Sequence, residues 1–106
     1  MSQSEALEIV RAYVRILIQA GIPISRAFLY GSFARGEAHE DSDIDVMLLS
    51  DSFDNADDLC LSKPLLYTTK VDHRIEPISI GSERYRTDDI SPIIEIVRRE
   101  GIEISL

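Results

Sequence analysis

Seven consecutive residues constrain this chain more than any others: Asp43-Ile44-Asp45-Val46-Met47-Leu48-Leu49. In an extended strand successive side chains alternate between faces, so Asp43 and Asp45 project from one face with Cα atoms about 7 Å apart. Met47 and Leu49 continue that face inward, and Ile44, Val46 and Leu48 line the other. A strand apolar on both sides with two aspartates at its mouth is a poor purely structural object. Unpaired like charges on one face repel and cost stability. Divalent cations resolve the conflict, because Mg²⁺ takes a few carboxylate oxygens together with waters and substrate phosphates. Two such ions lie about 3.5–4 Å apart in phosphoryl-transfer sites, a separation that a same-face pair can bridge. Solvated acids at a strand end are the plain alternative, and it is outweighed.

The rest of the chain must bury that strand. With 106 residues, 44% of them hydrophobic, one domain spanning residues 1–106 is expected, with a radius of gyration of about 13 Å. Folding should remove roughly two-thirds of the unfolded surface from water. No apolar run approaches the ~18 residues of a membrane span. The segment Met1-Ser2-Gln3-Ser4-Glu5 is polar and acidic, unlike a secretory or transit segment, so a soluble cytoplasmic protein is the expectation. Eleven basic against nineteen acidic residues give a formal charge of −8. That field repels DNA and RNA backbones, so direct nucleic-acid binding is not expected. It would equally repel a nucleoside triphosphate unless divalent cations mediate the contact. The one cysteine, Cys60, excludes an internal disulfide or a cysteine-rich zinc site. It reads as a small buried residue on a helix.

No repeat or low-complexity linker interrupts the chain. Ser4 to Ala20 reads as an amphipathic helix: Leu7, Val10, Val14, Leu17 and Ile18 recur at helical spacing, with Ile9, Tyr13 and Ile16 widening the stripe. Ser2 with Glu5 suits a capping box, and Gly21 and Pro23 supply a stop. Arg26 to Tyr30 reads as a short strand, Glu37 to Ser42 as a polar loop, and Asn55 to Tyr67 as a helical stretch interrupted by Pro64. Val71 to Ile80 is a third strand candidate, weakened near its end by Pro77. Ser91-Pro92 opens a helix to about Glu100, Gly101 closes it, and Ile102 to Leu106 suit a last short strand. Interleaved helices and strands give an α/β or α+β class with a small sheet covered on one side.

Upstream of the paired aspartates stands Gly31-Ser32-Phe33-Ala34-Arg35-Gly36. Gly31 follows a strand and precedes a candidate helix of one or two turns, and glycine permits the close backbone approach that a phosphate needs. The N–H groups at a helix start form an anion site, and the Ser32 hydroxyl can donate to a phosphate oxygen. Alone, a Gly-Ser after a strand is more often an ordinary turn. Its value lies in preceding the carboxylate pair.

Together, Gly31-Ser32, a spacer and Asp43-x-Asp45 opening a hydrophobic strand resemble the signature of the DNA polymerase beta-like nucleotidyltransferase superfamily. The fuller string, GSFARG followed by SDIDVMLL, is most similar to the minimal nucleotidyltransferases, stand-alone domains of about this length. The specific match covers about twenty residues, and the order of elements is consistent over the whole chain. The resemblance implies a small mixed sheet with helices packed against it and an active site at the strand mouths. It implies transfer of a nucleoside monophosphate, AMP from ATP being the expectation, to an acceptor hydroxyl with release of pyrophosphate. Gly31 and Ser32 would then hold the β- and γ-phosphates, and Asp43 and Asp45 would ligate two Mg²⁺ ions. A third carboxylate should come from the next strand, where Asp72 and Glu76 fall on one face with Arg74 between them. Glu76 is favoured, because Arg74-Ile75-Glu76-Pro77 resembles a recurring strand-end motif of the group. Its role would be metal ligation and proton removal from the acceptor.

Other residues carry less. Arg35 suits either a triphosphate contact or an ion pair near the acidic loop, His39 and His73 read as non-catalytic, Lys63 and Lys70 have no required role, and Tyr30 reads as a core aromatic. No separate acceptor-binding domain is expected within residues 1–106. The resemblance therefore suggests a small helical partner of the HEPN type, with this chain as its antitoxin; a homo-oligomer is a further possibility. A non-catalytic module that masks a partner, and a transferase acting on a small antibiotic-like hydroxyl compound, are the two alternatives.

Overall fold

A computed structural model describes residues 1–106. The first helix, α1 (Gln3–Gln19), opens with the expected capping box: the Ser2 hydroxyl accepts from the Glu5 N–H and the Glu5 carboxylate accepts from the Ser2 N–H, both at 3.1 Å. Its buried stripe is Ala6, Val10, Tyr13, Val14 and Leu17; Ile18, expected in that stripe, is exposed. After α1 come β1 (Arg26–Tyr30), the one-turn helix α2 (Ser32–Arg35), β2 (Ile44–Ser50) and a 3-10 turn at Asp51–Phe53. The helical stretch breaks at Pro64 as expected, into α3 (Asp58–Ser62) and a 3-10 segment, Lys63–Lys70. Cys60 lies on α3, partly buried against the core. The chain continues as β3 (Ile75–Gly81), α4 (Ser82–Thr87), α5 (Pro92–Glu100) and β4 (Ile102–Glu103). No helix is long and apolar enough to cross a membrane.

The four strands form one mixed sheet in the order β3-β2-β1-β4. β2 runs antiparallel to β1 and parallel to β3, and β4 pairs antiparallel with β1. The side-chain period of two divides the core between the two faces. Ile44, Val46 and Leu48 of β2, with Ala27 and Leu29 of β1, belong to the larger cluster beneath α1. Met47 and Leu49, with Phe28 and Ile80, belong to a second cluster closed by Ile94 and Val97 of α5. The expectation of a sheet covered on one side is therefore corrected. The apolar odd-numbered positions of β2 need a cover, and α5 supplies it.

The third strand is shorter than expected. Val71 to Arg74 is not extended, because the Val71 and Asp72 N–H groups both donate to the Thr68 carbonyl, at 3.0 and 2.9 Å, and turn the chain. Asp72 and Glu76 consequently do not share a strand face, which corrects the reading from periodicity. The terminal strand is likewise only Ile102–Glu103, held by a two-pronged ion pair from Arg26 to Glu103 at 2.9 and 3.0 Å.

Candidate functional site

Strand register places Tyr30, Asp45 and Glu76 side by side across β1, β2 and β3. This row stands at the end of the sheet where β1 finishes and both β2 and β3 begin. Asp43 lies immediately before β2, and its loop is held by Ser42, whose hydroxyl accepts from the His39 N–H at 2.9 Å. The Ile44 N–H donates to the Arg74 carbonyl at 2.8 Å, which fixes the start of β2 against the turn before β3.

Gly31 occupies a backbone region open essentially to glycine alone, with φ 78° and ψ −153°. A Cβ there would stand 2.2 Å from Asp45 Oδ2. The turn and the carboxylate are thus pressed together, and only a residue without a side chain permits it. The following helix, α2, is a single turn, so local N–H groups of the helix start rather than a helix dipole would meet an anion. Gln3 fastens this turn to α1 by donating to the Phe33 and Ala34 carbonyls, at 3.1 and 3.2 Å.

Gly31, Ser32, Asp43 and Asp45 line one cavity of about 440 Å³. Its far wall is α5, through Ile93, Ile96, Arg99 and Glu100. The sequence reading missed this wall. Its signal was there: α5 carries apolar residues at 93, 94, 96 and 97, more than one buried stripe requires. Ile94 and Val97 enter the core, which leaves Ile93 and Ile96 toward the cavity. Arg35 bridges the cavity rim, donating to Glu100 at 2.9 Å and to Glu37 at 3.4 Å, so the ion-pair reading of Arg35 is the observed one. A second concavity of about 370 Å³ adjoins at Asp43, with Glu40, Asp41, His73 and Arg74.

Burial, and then the charges of Asp43 and Glu76, push the Asp45 carboxyl above its usual range; Arg35 opposes this. Tyr30, read from sequence as a core aromatic, is only half-buried and lines the cavity. Burial and the neighbouring Asp45 and Glu76 charges push its phenol up to about 12. Glu76 itself is exposed and stands beside Asp45, outside the cavity lining. Asp72 is engaged elsewhere: Arg74 grips it through Nε at 2.9 Å and Nη2 at 2.7 Å. That grip, the larger cause, and the Arg74 backbone N–H hold the Asp72 carboxyl down at about 2. His39 and His73 are exposed.

The donor set fits a divalent cation. Asp43 and Asp45 offer hard carboxylate oxygens on one cavity, and Asp45 carries repulsion that a cation would relieve. The acids are not gathered into a closed three-ligand cage. The pair in the cavity, with Glu76 alongside, is what the fold provides.

A mixed sheet with this glycine turn set against paired carboxylates defines a class, and sequence comparison agrees with it. Residues 7–106 match the nucleotidyltransferase domain family, and the chain belongs to that family. Among its relatives is MJ0604 of Methanocaldococcus jannaschii, which is named as a candidate protein adenylyltransferase and is 39% identical over 54 residues. The match takes in 50% of this chain and 54% of that protein, so the chain spans about half the length of the curated relative. Three solved structures share the fold. A candidate nucleotidyltransferase from Sulfolobus solfataricus superposes with a TM-score of 0.70 at 13% identity, over 95% of this chain and 80% of that one. A toxin–antitoxin structure solved with AMP-PNP gives 0.58 at 20% identity, over 87% and 69%. A mutant of the toxin–antitoxin MntA–HpeT gives 0.52 at 16% identity, over 97% and 72%. The mixed α/β fold is thus shared with all three, one of which is described as a candidate nucleotidyltransferase.

Proposed function

We propose that this chain transfers a nucleoside monophosphate, AMP from ATP, to a hydroxyl on a partner protein. The observation that carries the reading is the contact of Gly31 with Asp45: the turn suited to phosphate and the acid suited to a cation share one point of one cavity. The name of the Methanocaldococcus relative supports a protein acceptor, and the toxin–antitoxin neighbours support an antitoxin role toward a small helical, HEPN-type toxin.

On this reading Asp43 and Asp45 hold two Mg²⁺ ions, Glu76 completes the ligands from β3, and the Gly31-Ser32 turn holds the β- and γ-phosphates. Bound divalent cations would supply neutralisation of the triphosphate and of the charge that develops in transfer. The chain's own part is positioning. The Gly31-Ser32 backbone fixes the phosphate tail, and Ser32 donates its hydroxyl. Ile93 and Ile96 offer an apolar wall against which a base can lie. Glu76, exposed beside Asp45, is open to an acceptor hydroxyl and can take its proton. Catalysis of this kind rests on alignment and electrostatics rather than on a covalent enzyme intermediate.

The test is incubation of the chain with ATP labelled at the α-phosphate, Mg²⁺ and an extract of the source organism. A labelled protein band that is absent with Asp45→Asn supports the reading. Label confined to small molecules would replace it with a small-molecule transferase. No label in any fraction would favour a masking module.

A further inference from the structure

A separate cavity, of about 470 Å³, opens on the same face of the sheet as the Asp45 cavity but at its opposite end. Leu49 lines it, whereas Asp45 lines the first; the two are four residue steps apart along the strand, about 13 Å. Arg26, Arg86 and Arg98 come to its wall from β1, α4 and α5. Asp51 is the one acid among the lining residues, in a chain whose formal charge is −8. Two of the guanidiniums are pre-set by one ring. Arg26 and Arg98 lie 5.5 and 5.3 Å from the centroid of Tyr85, which itself stacks on Phe28 at 5.4 Å. Arg98 is further held by the neutral carbonyls of Tyr85 and Asp88, so its orientation is fixed without cancelling its charge. Its nearest carboxylate, on the exposed Asp89, is 3.8 Å away. Arg26 is paired with Glu103, and Arg86 with Glu83 at the rim. Ser25 donates its hydroxyl to the Leu49 carbonyl at 3.0 Å, which leaves Ser82, 3.2 Å from it, as the hydroxyl able to donate to an anion.

We propose that this cavity binds a small phosphate-bearing anion, independently of the carboxylate site. Three guanidiniums lining one cavity from separate elements, with the Ser82 hydroxyl in the same lining, suit an anion whose oxygens point in several directions. A planar carboxylate would satisfy only one fork of that arrangement. Arg98, held by neutral carbonyls with its nearest carboxylate 3.8 Å away, is the guanidinium whose charge can meet a phosphate without a cation, unlike the site at Asp43 and Asp45.

The experiment is an NMR titration of the labelled chain in excess EDTA, with inorganic phosphate, inorganic pyrophosphate and a sugar phosphate as separate arms and chloride at matched ionic strength as control. The proposal expects saturable shifts of the Ser25, Ser82 and Tyr85 amides while Gly31 and Ser32 stay still. Saturation by the inorganic arms alone identifies a free-anion site, and saturation by the sugar phosphate as well identifies a phosphoester site. Removal of one charge-assisted donor should weaken binding about tenfold. Arg98→Gln tests this directly, and Arg86→Gln, at an exposed rim position paired only with Glu83, tests it without disturbing the α4–α5 contact. Shifts reproduced by chloride, shifts centred on Gly31 and Ser32, no saturable shift in any arm, or wild-type affinity in Arg86→Gln would each overturn the proposal.

Discussion

Replacing Gly31 by alanine should damage stability and activity by two separable routes. The first is backbone strain. At φ 78° and ψ −153° an L-residue costs about 1–3 kcal/mol. The second is displacement of Asp45, because the new Cβ would lie 2.2 Å from Oδ2, 3.1 Å from Cγ and 3.4 Å from Cβ of that residue. The carboxylate end can swing aside, at about 0.5–1.5 kcal/mol for leaving its rotamer. Strain is therefore the larger part of a total of roughly 2–4 kcal/mol. Urea unfolding of a double-mutant cycle separates the parts. In an Asp45→Ala background the clash is gone and only strain remains, so Gly31→Ala should cost about 1 kcal/mol less there than in the native chain. The midpoint should move without a change in the denaturant slope. Turnover should respond more steeply, since misplacing a reacting group by about 1 Å costs around a hundredfold. An equal cost of Gly31→Ala in both backgrounds would refute the claim that this glycine exists to let Asp45 approach the turn.

Asp43→Asn and Asp45→Asn should each abolish nucleotide transfer while leaving the unfolding midpoint unchanged or higher, because repulsion is relieved; near-normal transfer in both would remove the metal assignment. Glu76→Gln should lower turnover far more than Asp72→Asn, and the reverse ranking would move the third ligand to Asp72. Asp72→Asn should instead show in stability, by about 1 kcal/mol at neutral pH after allowance for the partly exposed pair. The Asp72 carboxyl is held down at about 2, so its contribution is present above the ordinary carboxylate range and fades as pH falls through about 2. The stability difference from the native chain should fade with it, and a constant difference down to that pH would contradict the ion-pair account. Tyr13→Phe should cost about 1–3 kcal/mol by urea unfolding, because the buried Tyr13 hydroxyl donates to the Pro64 carbonyl at 2.6 Å; an unchanged midpoint would show that this bond does not secure the 3-10 segment to α1.

What the sequence revealed follows from which forces are local. The strand that carries Asp45 and follows directly on Asp43 was legible because alternation is set by the backbone itself, and α1 because Ser2 and Glu5 cap it from within. Helix α4 was not legible. Its first N–H groups are capped by Asp54: Glu83 and Arg84 donate to that carboxylate at 3.0 and 3.3 Å. Gly81 leaves room for it, since a Cβ there would meet Asp54 Oδ1 at 1.8 Å. A cap supplied from so far along the chain leaves no local signature. Periodicity could not choose between Asp72 and Glu76 for a related reason: the hydrogen bonds to Thr68 that end the extended reading run across a turn, where a period of two has no meaning. Within the candidate site, Gly31, Ser32, Asp43 and Asp45 were all readable and share one cavity. Tyr30 and the α5 wall were not, because their place depends on register and on how α5 folds back over the sheet.

Calorimetric titration of ATP into the chain tests the central claim, a cation-dependent phosphate site at Gly31-Ser32 and Asp43/Asp45. A triphosphate meets a chain of formal charge −8, and a helix start supplies only about half a unit of positive charge, less still from the single turn of α2. Each Mg²⁺ adds two, converting repulsion at Asp43 and Asp45 into a bridge. Measured in an Arg98→Gln chain, so that the arginine cavity does not contribute, binding should therefore be lost in excess EDTA and restored by Mg²⁺ or Mn²⁺. Asp43→Ala should weaken that dependence, whereas Ser32→Ala should lower affinity and leave the dependence in place. Tight binding of ATP in EDTA, unaffected by Ser32→Ala, would contradict the account and assign the nucleotide to another surface.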